Sequence, residues 1–188
     1  MKIRSFPFFL FSFFLCFSAA AQKEKVKFHS VNAIGLSDGQ SGVHLLLQTV
    51  NGVAFKNFFS GIGVGADYYQ YKSYPLFIDV RGYFGKNNKV FAYGDLGYNF
   101  SGKNKPGKEI YYYTSYRYTS GVYTDIGIGY KMRLTGNSSF LISTGYSYKE
   151  INNRVEVVSP CLVAPCPVDY DNYKYGNGRI VLKAGVDF

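Results

Sequence analysis

The sequence predicts an all-β fold: an eight-stranded antiparallel up-and-down barrel whose strands cross a membrane. Three observations carry that prediction. The last eleven residues, 178–188, alternate without a break, with Ile180, Leu182, Ala184, Val186 and Phe188 on one face and Arg179, Val181, Lys183, Gly185 and Asp187 on the other. Period-two alternation marks a strand, because successive side chains leave opposite sides of the pleat. That length suits a tilted bilayer crossing, which takes roughly nine to eleven residues. The N-terminus has the pattern of an export signal. The composition suits strands: 19 Tyr, 17 Phe and 21 Gly in 188 residues, with no Trp and no long Ala/Leu/Glu-rich stretch.

Along the chain, Lys2 and Arg4 precede the uncharged run 6–17 and then Ser18-Ala19-Ala20-Ala21. A basic start, a short apolar core and a small-residue site make a secretory signal peptide, 1–21, leaving 22–188 as the barrel domain. The run is too short for a membrane-anchoring helix, and no later apolar stretch reaches helix-spanning length. Cys16 sits between Leu15 and Phe17, without the small residue that lipoprotein signals place before their cysteine.

Eight alternating segments follow. The first, 26–36, alternates poorly and its facing is open. The second, 42–50, sends Val43, Leu45, Leu47 and Thr49 outward and His44 and Gln48 inward, and Asn51-Gly52 then marks a tight reversal. The third, 58–69, points Ile62, Val64, Ala66 and Tyr68 out, with Gly61, Gly63, Gly65 and Asp67 in. Its glycine string precedes no helix start, so it is no phosphate loop; glycines here leave a narrow lumen room for long side chains of opposite strands. The fourth, 76–84, turns Asp79, Arg81 and Tyr83 inward before the polar turn 85–89. The fifth, 90–100, faces Tyr93, Asp95 and Asn99 in. The sixth, 121–133, faces Asp125, Lys131 and Arg133 in, and the turn 135–138 leads to the seventh, 140–149. The eighth is 178–188. Connections near 51, 86 and 136 are short, while 101–120 and 150–177 are long. Such barrels have short periplasmic turns and long outer loops, which places both termini on the periplasmic side.

Four stretches, 58–69 (FFSGIGVGADYY), 75–84 (PLFIDVRGYF), 92–100 (AYGDLGYNF) and the ending Val186-Asp187-Phe188, resemble the small outer-membrane β-barrel domain proteins of Gram-negative bacteria. The resemblance covers nearly all of 22–188. It implies an outer-membrane location and a terminal aromatic, Phe188, read by the barrel-assembly machinery. The family has no shared catalytic motif, and no cofactor is expected.

Cys161 and Cys166, close together in a proline-rich segment of an exported chain, read as a disulfide pinning a loop. Zinc would want two more ligands than the C-x4-C pair offers, and redox chemistry would want C-x-x-C spacing. The inward charges balance: Asp67, Asp79, Asp95, Asp125 and Asp187 against Arg81, Lys131, Arg133, Arg179 and Lys183. Eight strands enclose just enough space for side chains, so the lumen reads as a filled polar core whose charges pair, ahead of an ion path.

The function this favours is a non-enzymatic outer-membrane barrel, structural or binding through 101–120 and 150–177. The Tyr-rich stretch 109–118 is either a recognition surface or, more simply, strands five and six continuing above the membrane as a ribbon. Lys103, Lys105, Lys108 and Arg117 suit lipopolysaccharide phosphates; nucleic acid is a poor explanation of the 21 bases against 12 acids in an exported chain. The ligand is not identified, and no motif decides between a lone barrel and a subunit of a larger envelope complex. One alternative is a lipid-acyl-modifying enzyme, since Gly35-Leu36-Ser37-Asp38-Gly39 matches G-x-S-x-G and His29 and His44 are the only histidines. That motif needs a strand-to-helix elbow, and Ser37-Asp38-Gly39 reads better as an outer turn. The other alternative is a soluble lipocalin-like barrel, with apolar faces inward. Against it stand the strand-end aromatics Tyr68, Phe84, Tyr98, Phe100, Tyr130, Tyr148 and Phe188, which suit interfacial girdles.

Overall fold

The computed structural model describes residues 26–102, 113–134, 136, 138–159, 161 and 166–188. The leader expected at 1–21 lies outside them. The strands are β1 (Lys27–Gly39), β2 (Gly42–Phe55), β3 (Phe58–Asp67), β4 (Ser73–Phe84), β5 (Val90–Ser101), β6 (Tyr113–Thr119), β7 (Gly121–Arg133), β8 (Ser139–Val158) and β9 (Val168–Asp187). One turn of 3-10 helix, Lys86–Asn88, joins β4 to β5. Each barrel strand runs antiparallel to its neighbours, and β9 closes the ring by pairing with both β8 and β1. β6 and β7 lie end to end along β8, separated at Ser120, so nine strands fill eight barrel positions. The fold is an eight-stranded antiparallel up-and-down barrel.

Side-chain direction follows the pleat. Ile62, Leu96, Ile126 and Ile180 are 62–65 % exposed on the outside, whereas Asp67, Asp79, Asp95, Asp125 and Arg179 are buried inside. A belt of exposed aliphatics around buried charge is the reverse of a water-soluble barrel. The soluble ligand-cavity reading falls on that observation. Exposed aromatics edge the belt: Phe28, Phe58, Phe84, Tyr130 and Phe188 toward the end with the short turns, and Tyr68, Tyr74, Tyr98 and Phe100 toward the other. The first strand's facing is settled too, with Val31 and Ser37 inward and Ile34 and Leu36 outward.

Several boundaries differ from the sequence expectation. Asn51-Gly52 is not a reversal but the middle of a ladder: Gly52 pairs with His29 on one side and Gly61 on the other. A turn there would strand the backbone groups of both neighbours. The chain reverses instead at Lys56-Asn57, where Lys56 takes φ 52° and Phe55 pairs with Phe58. Likewise Ser37, Asp38 and Gly39 belong to β1, and the turn falls at Gln40-Ser41.

The largest difference concerns 150–177. β8 and β9 stay in unbroken register from the Ser139–Asp187 pair to the Val158–Val168 pair, leaving only 159–167 to connect them. β1 leaves β9 at the Gly39–Arg179 pair. Beyond that level the closed barrel continues as a ribbon of three strands, β6, β8 and β9. Within 101–120, residues 113–119 are strand and pair with β8, not with the fifth strand, while 103–112 lie outside the described residues.

The lumen is filled by rings as well as charges: Phe59, Phe77, Phe91, Tyr93 and Tyr123 cluster there with Val31, Val50 and Leu141. Glycines make the space, but for directly paired neighbours rather than for opposite strands. Phe77 is flanked by Gly63 and Gly97, Phe91 faces Gly129, and Tyr93 faces Gly127. A Cβ on Gly63 or Gly129 meets the neighbouring phenyl ring at once.

Candidate functional site

Charged lumen side chains gather at three levels, each built by strand parity. At the ribbon end, Asp67 closes β3 beside Arg179 of β9 and Lys149 of β8, all three buried. Arg179 Nη2 meets one Asp67 oxygen, with Lys149 Nζ 3.3 Å from the same oxygen; the other accepts the Tyr69 backbone N–H at 2.9 Å. Lys149 also donates to the Tyr69 carbonyl at 2.8 Å and to Ser73 Oγ at 3.1 Å. The Tyr69 ring lies under the Arg179 guanidinium, 5.2 Å from its centroid. Two cations on one carboxylate, packed against a tyrosine ring, cap the lumen.

At mid-height the register sets Asp79, Asp95 and Asp125 directly opposite one another across β4, β5 and β7. Like charges so placed repel, and two cations hold the row. Arg81 forks onto Asp79 through Nε (2.9 Å) and Nη2 (2.7 Å), its guanidinium between the Phe59 and Phe91 rings. Lys183 lies 3.0 Å from Asp125 and 3.7 Å from Asp95, above the Tyr93 ring. Asp125 further accepts the Tyr93 hydroxyl at 2.9 Å, and Gln48 Nε2 donates to the Tyr123 hydroxyl at 2.8 Å. Breaking such a buried pair by removing one partner costs about 3–5 kcal/mol.

At the turn end, Asp187 meets Lys131 and, at 2.7 Å, His29 Nδ1. Asp67, Asp79, Arg81, Asp95, Asp125, Lys131 and Lys183, singled out in the sequence, thus fall into three separate clusters rather than one chain. The alternation does not single out Lys149 or Tyr69, and His29 stands in the sequence only as a histidine to set beside the serine motif. Lys149 shares its face with Leu141 and Ser147, a parity that was readable, but it stood at a strand's expected end.

Ser37 is buried and donates to the His44 carbonyl at 3.3 Å, while His44 Nε2 lies 3.0 Å from the Ser41 carbonyl. β1 enters a hairpin rather than a helix, so the G-x-S-x-G match forms no nucleophile elbow. Among the described residues no three His, Cys, Asp or Glu side chains are placed to hold a metal ion.

The ribbon carries exposed Tyr170, Tyr173 and Tyr175. Tyr173 and Tyr175 stack at 6.4 Å, and Arg154 lies 4.4 Å over the Tyr170 ring. Glu150 accepts Lys174 at 2.9 Å, which holds that exposed ammonium above its ordinary pKa. At the tip Cys161 and Cys166 form a disulfide.

The crystal structure of the outer membrane protein OprG from Pseudomonas aeruginosa is similar in fold, with a TM-score of 0.56 at 13% identity over 86% of this chain and 95% of that one. The fold is that of a small outer-membrane β-barrel. Neisserial surface protein A (TM-score 0.49, 15% identity, 87% of this chain and 98% of that one) and AlkL in lipid bilayers (0.47, 10%, 87% of each) are more distant likenesses. No family model and no curated protein matches the sequence.

Proposed function

We propose that this chain is a non-enzymatic outer-membrane protein whose lumen is closed by packed side chains and whose working surface is the β6–β8–β9 ribbon. The supporting observation is strand length. β8 and β9 are 20 residues each, about twice what a bilayer crossing takes, so roughly 30 Å of ribbon stands clear of the hydrocarbon at about 3.3 Å per residue. Tyrosine there gives amphipathic contact area at low entropic cost. Ser37, buried at a hairpin, supplies no support for catalysis.

In this reading the short turns and both termini are periplasmic, after removal of 1–21, and the ribbon is outside the cell. The aromatic edges sit at the two lipid interfaces. Phe188 is the signal for the barrel-assembly machinery, and Lys103, Lys105, Lys108 and Arg117 meet lipopolysaccharide phosphates. The charge clusters Asp67–Arg179–Lys149 and Asp79–Asp95–Asp125 with Arg81 and Lys183 serve as internal struts.

Protease shaving of intact cells, with membrane fractionation, tests this. Cleavage confined to 102–112 and 159–167, in protein that sediments with outer membranes, is expected. Cleavage at 56–57 or 85–89 in intact cells means that the orientation is inverted, and recovery in the soluble fraction removes the assignment altogether.

A further inference from the structure

The turn end of the barrel opens into a cavity of ≈ 820 Å3, lined by Lys27, Lys56, Lys89, Lys131 and Arg133 with His29, over a floor that includes Phe59 and Tyr83. Its volume is within the range of small-molecule sites, about 300–1,000 Å3. The charge is unevenly shared between this mouth and the lumen behind it. Deeper in, Asp67, Asp79, Asp95 and Asp125 are matched one for one by Arg81, Lys149, Arg179 and Lys183. At the mouth, among the described side chains, Lys27, Lys89, Lys131 and Arg133 face a single acidic side chain, Asp187, and that acid already holds Lys131 and His29. Lys27, Lys89 and Arg133 make no ion pair among the described residues.

Packing does not require this excess, because the interior is already neutralised without it. Nor does the outer face, since Lys131 and Arg133 on β7 and Lys27 on β1 stand on the inward parity of their strands, and Lys89 lies just before β5. Like charges around a concavity with apolar walls focus the field and concentrate counter-ions there.

We propose that this mouth is a binding site for a small multivalent anion, a phosphate- or carboxylate-bearing molecule. The bases on the rim engage its charges, and Phe59 and Tyr83 face its body. The site is separate from the ribbon, and it stands or falls independently of where the barrel resides.

The test uses purified mature protein in zwitterionic detergent and calorimetric titration with inorganic pyrophosphate and with citrate at low salt. Saturable one-to-one binding of at least one is expected, weakening as salt rises; which one binds separates a phosphate from a carboxylate ligand. Lys89→Gln with Arg133→Gln should weaken it about tenfold, the loss of two part-exposed charge contacts. Both side chains are exposed, and the circular dichroism of the strands verifies that the variant folds. Lys72→Gln, at the opposite end, should leave affinity unchanged. The proposal is overturned if neither anion saturates, if the double variant binds as tightly as the parent, or if Lys72→Gln weakens binding equally.

Discussion

At the scale of single residues, the lumen rests on a pairing of the smallest side chain with the largest. Phe77 lies across Gly63, its directly opposed partner on β3, and a Cβ there collides with the ring. Gly63→Val therefore overpacks the core and should cost about 1–3 kcal/mol, read as a lowered urea midpoint in detergent micelles. Adding Phe77→Ala should recover part of that loss, since contacting residues are coupled. Equal, additive losses would mean that the pair does not share its space. The buried ions obey a harsher rule. Arg179→Met leaves Asp67 with Lys149 as its one cation among the described residues, and a cost of about 3–5 kcal/mol is expected. Asp67→Asn in the same chain should soften it, because the stranded charge is then gone. A double variant that is no more stable than Arg179→Met would contradict the pairing.

At the scale of elements, the ribbon and the barrel are built from the same two strands yet answer to different forces. The disulfide closes a loop of only six residues at the far tip, so it constrains little of the unfolded chain. Replacing Cys161 and Cys166 by Ser should leave the barrel's urea midpoint unchanged while speeding proteolysis within 159–167. A fall in the midpoint would show that the tip and the barrel unfold together. The sequence marked each strand only as far as its oily face runs. On β9, Ile180 to Phe188 alternate apolar and polar because one side joins the exposed apolar belt and the other lines the lumen. N-terminal to Gly178 both faces of β9 are exposed, Tyr170 and Asp171 alike, and the hydrophobic signal stops while the hydrogen-bonded ladder goes on. Asn51-Gly52 misled for the opposite reason: a local turn preference was overruled by ladders on both sides. Parity was the legible part of the lumen, and it placed Asp67, Asp79, Asp95 and Asp125 inside. Asp79 meets Arg81 from two places along its own strand, but which cation the other acids meet depends on stagger between strands far apart in sequence, as with Lys183 reaching Asp125, and no local pattern carries that.

For the whole molecule, the decisive relation is between what is inside and what is outside. Lys149 and Arg179 are buried while Ile126 is 62 % exposed, so burial here sorts side chains by partner rather than by oiliness. Ile126 sits on β7 midway between Val122 and Tyr130, and its strand neighbours put it near the middle of the belt. If the belt faces hydrocarbon, Ile126→Arg places a charge at mid-depth and costs about 2–4 kcal/mol, a penalty that fades toward the interfaces. The same change at a position facing water usually moves stability by no more than about 0.5 kcal/mol. Urea titration of the refolded barrel in lipid vesicles separates the two. Ile126→Arg should fall well below the parent, and Tyr173→Arg, also exposed but on the ribbon, should not. Matching midpoints for the two variants would mean that the belt meets water. The apolar ring would then be covered by something other than lipid, whatever the likeness of the fold.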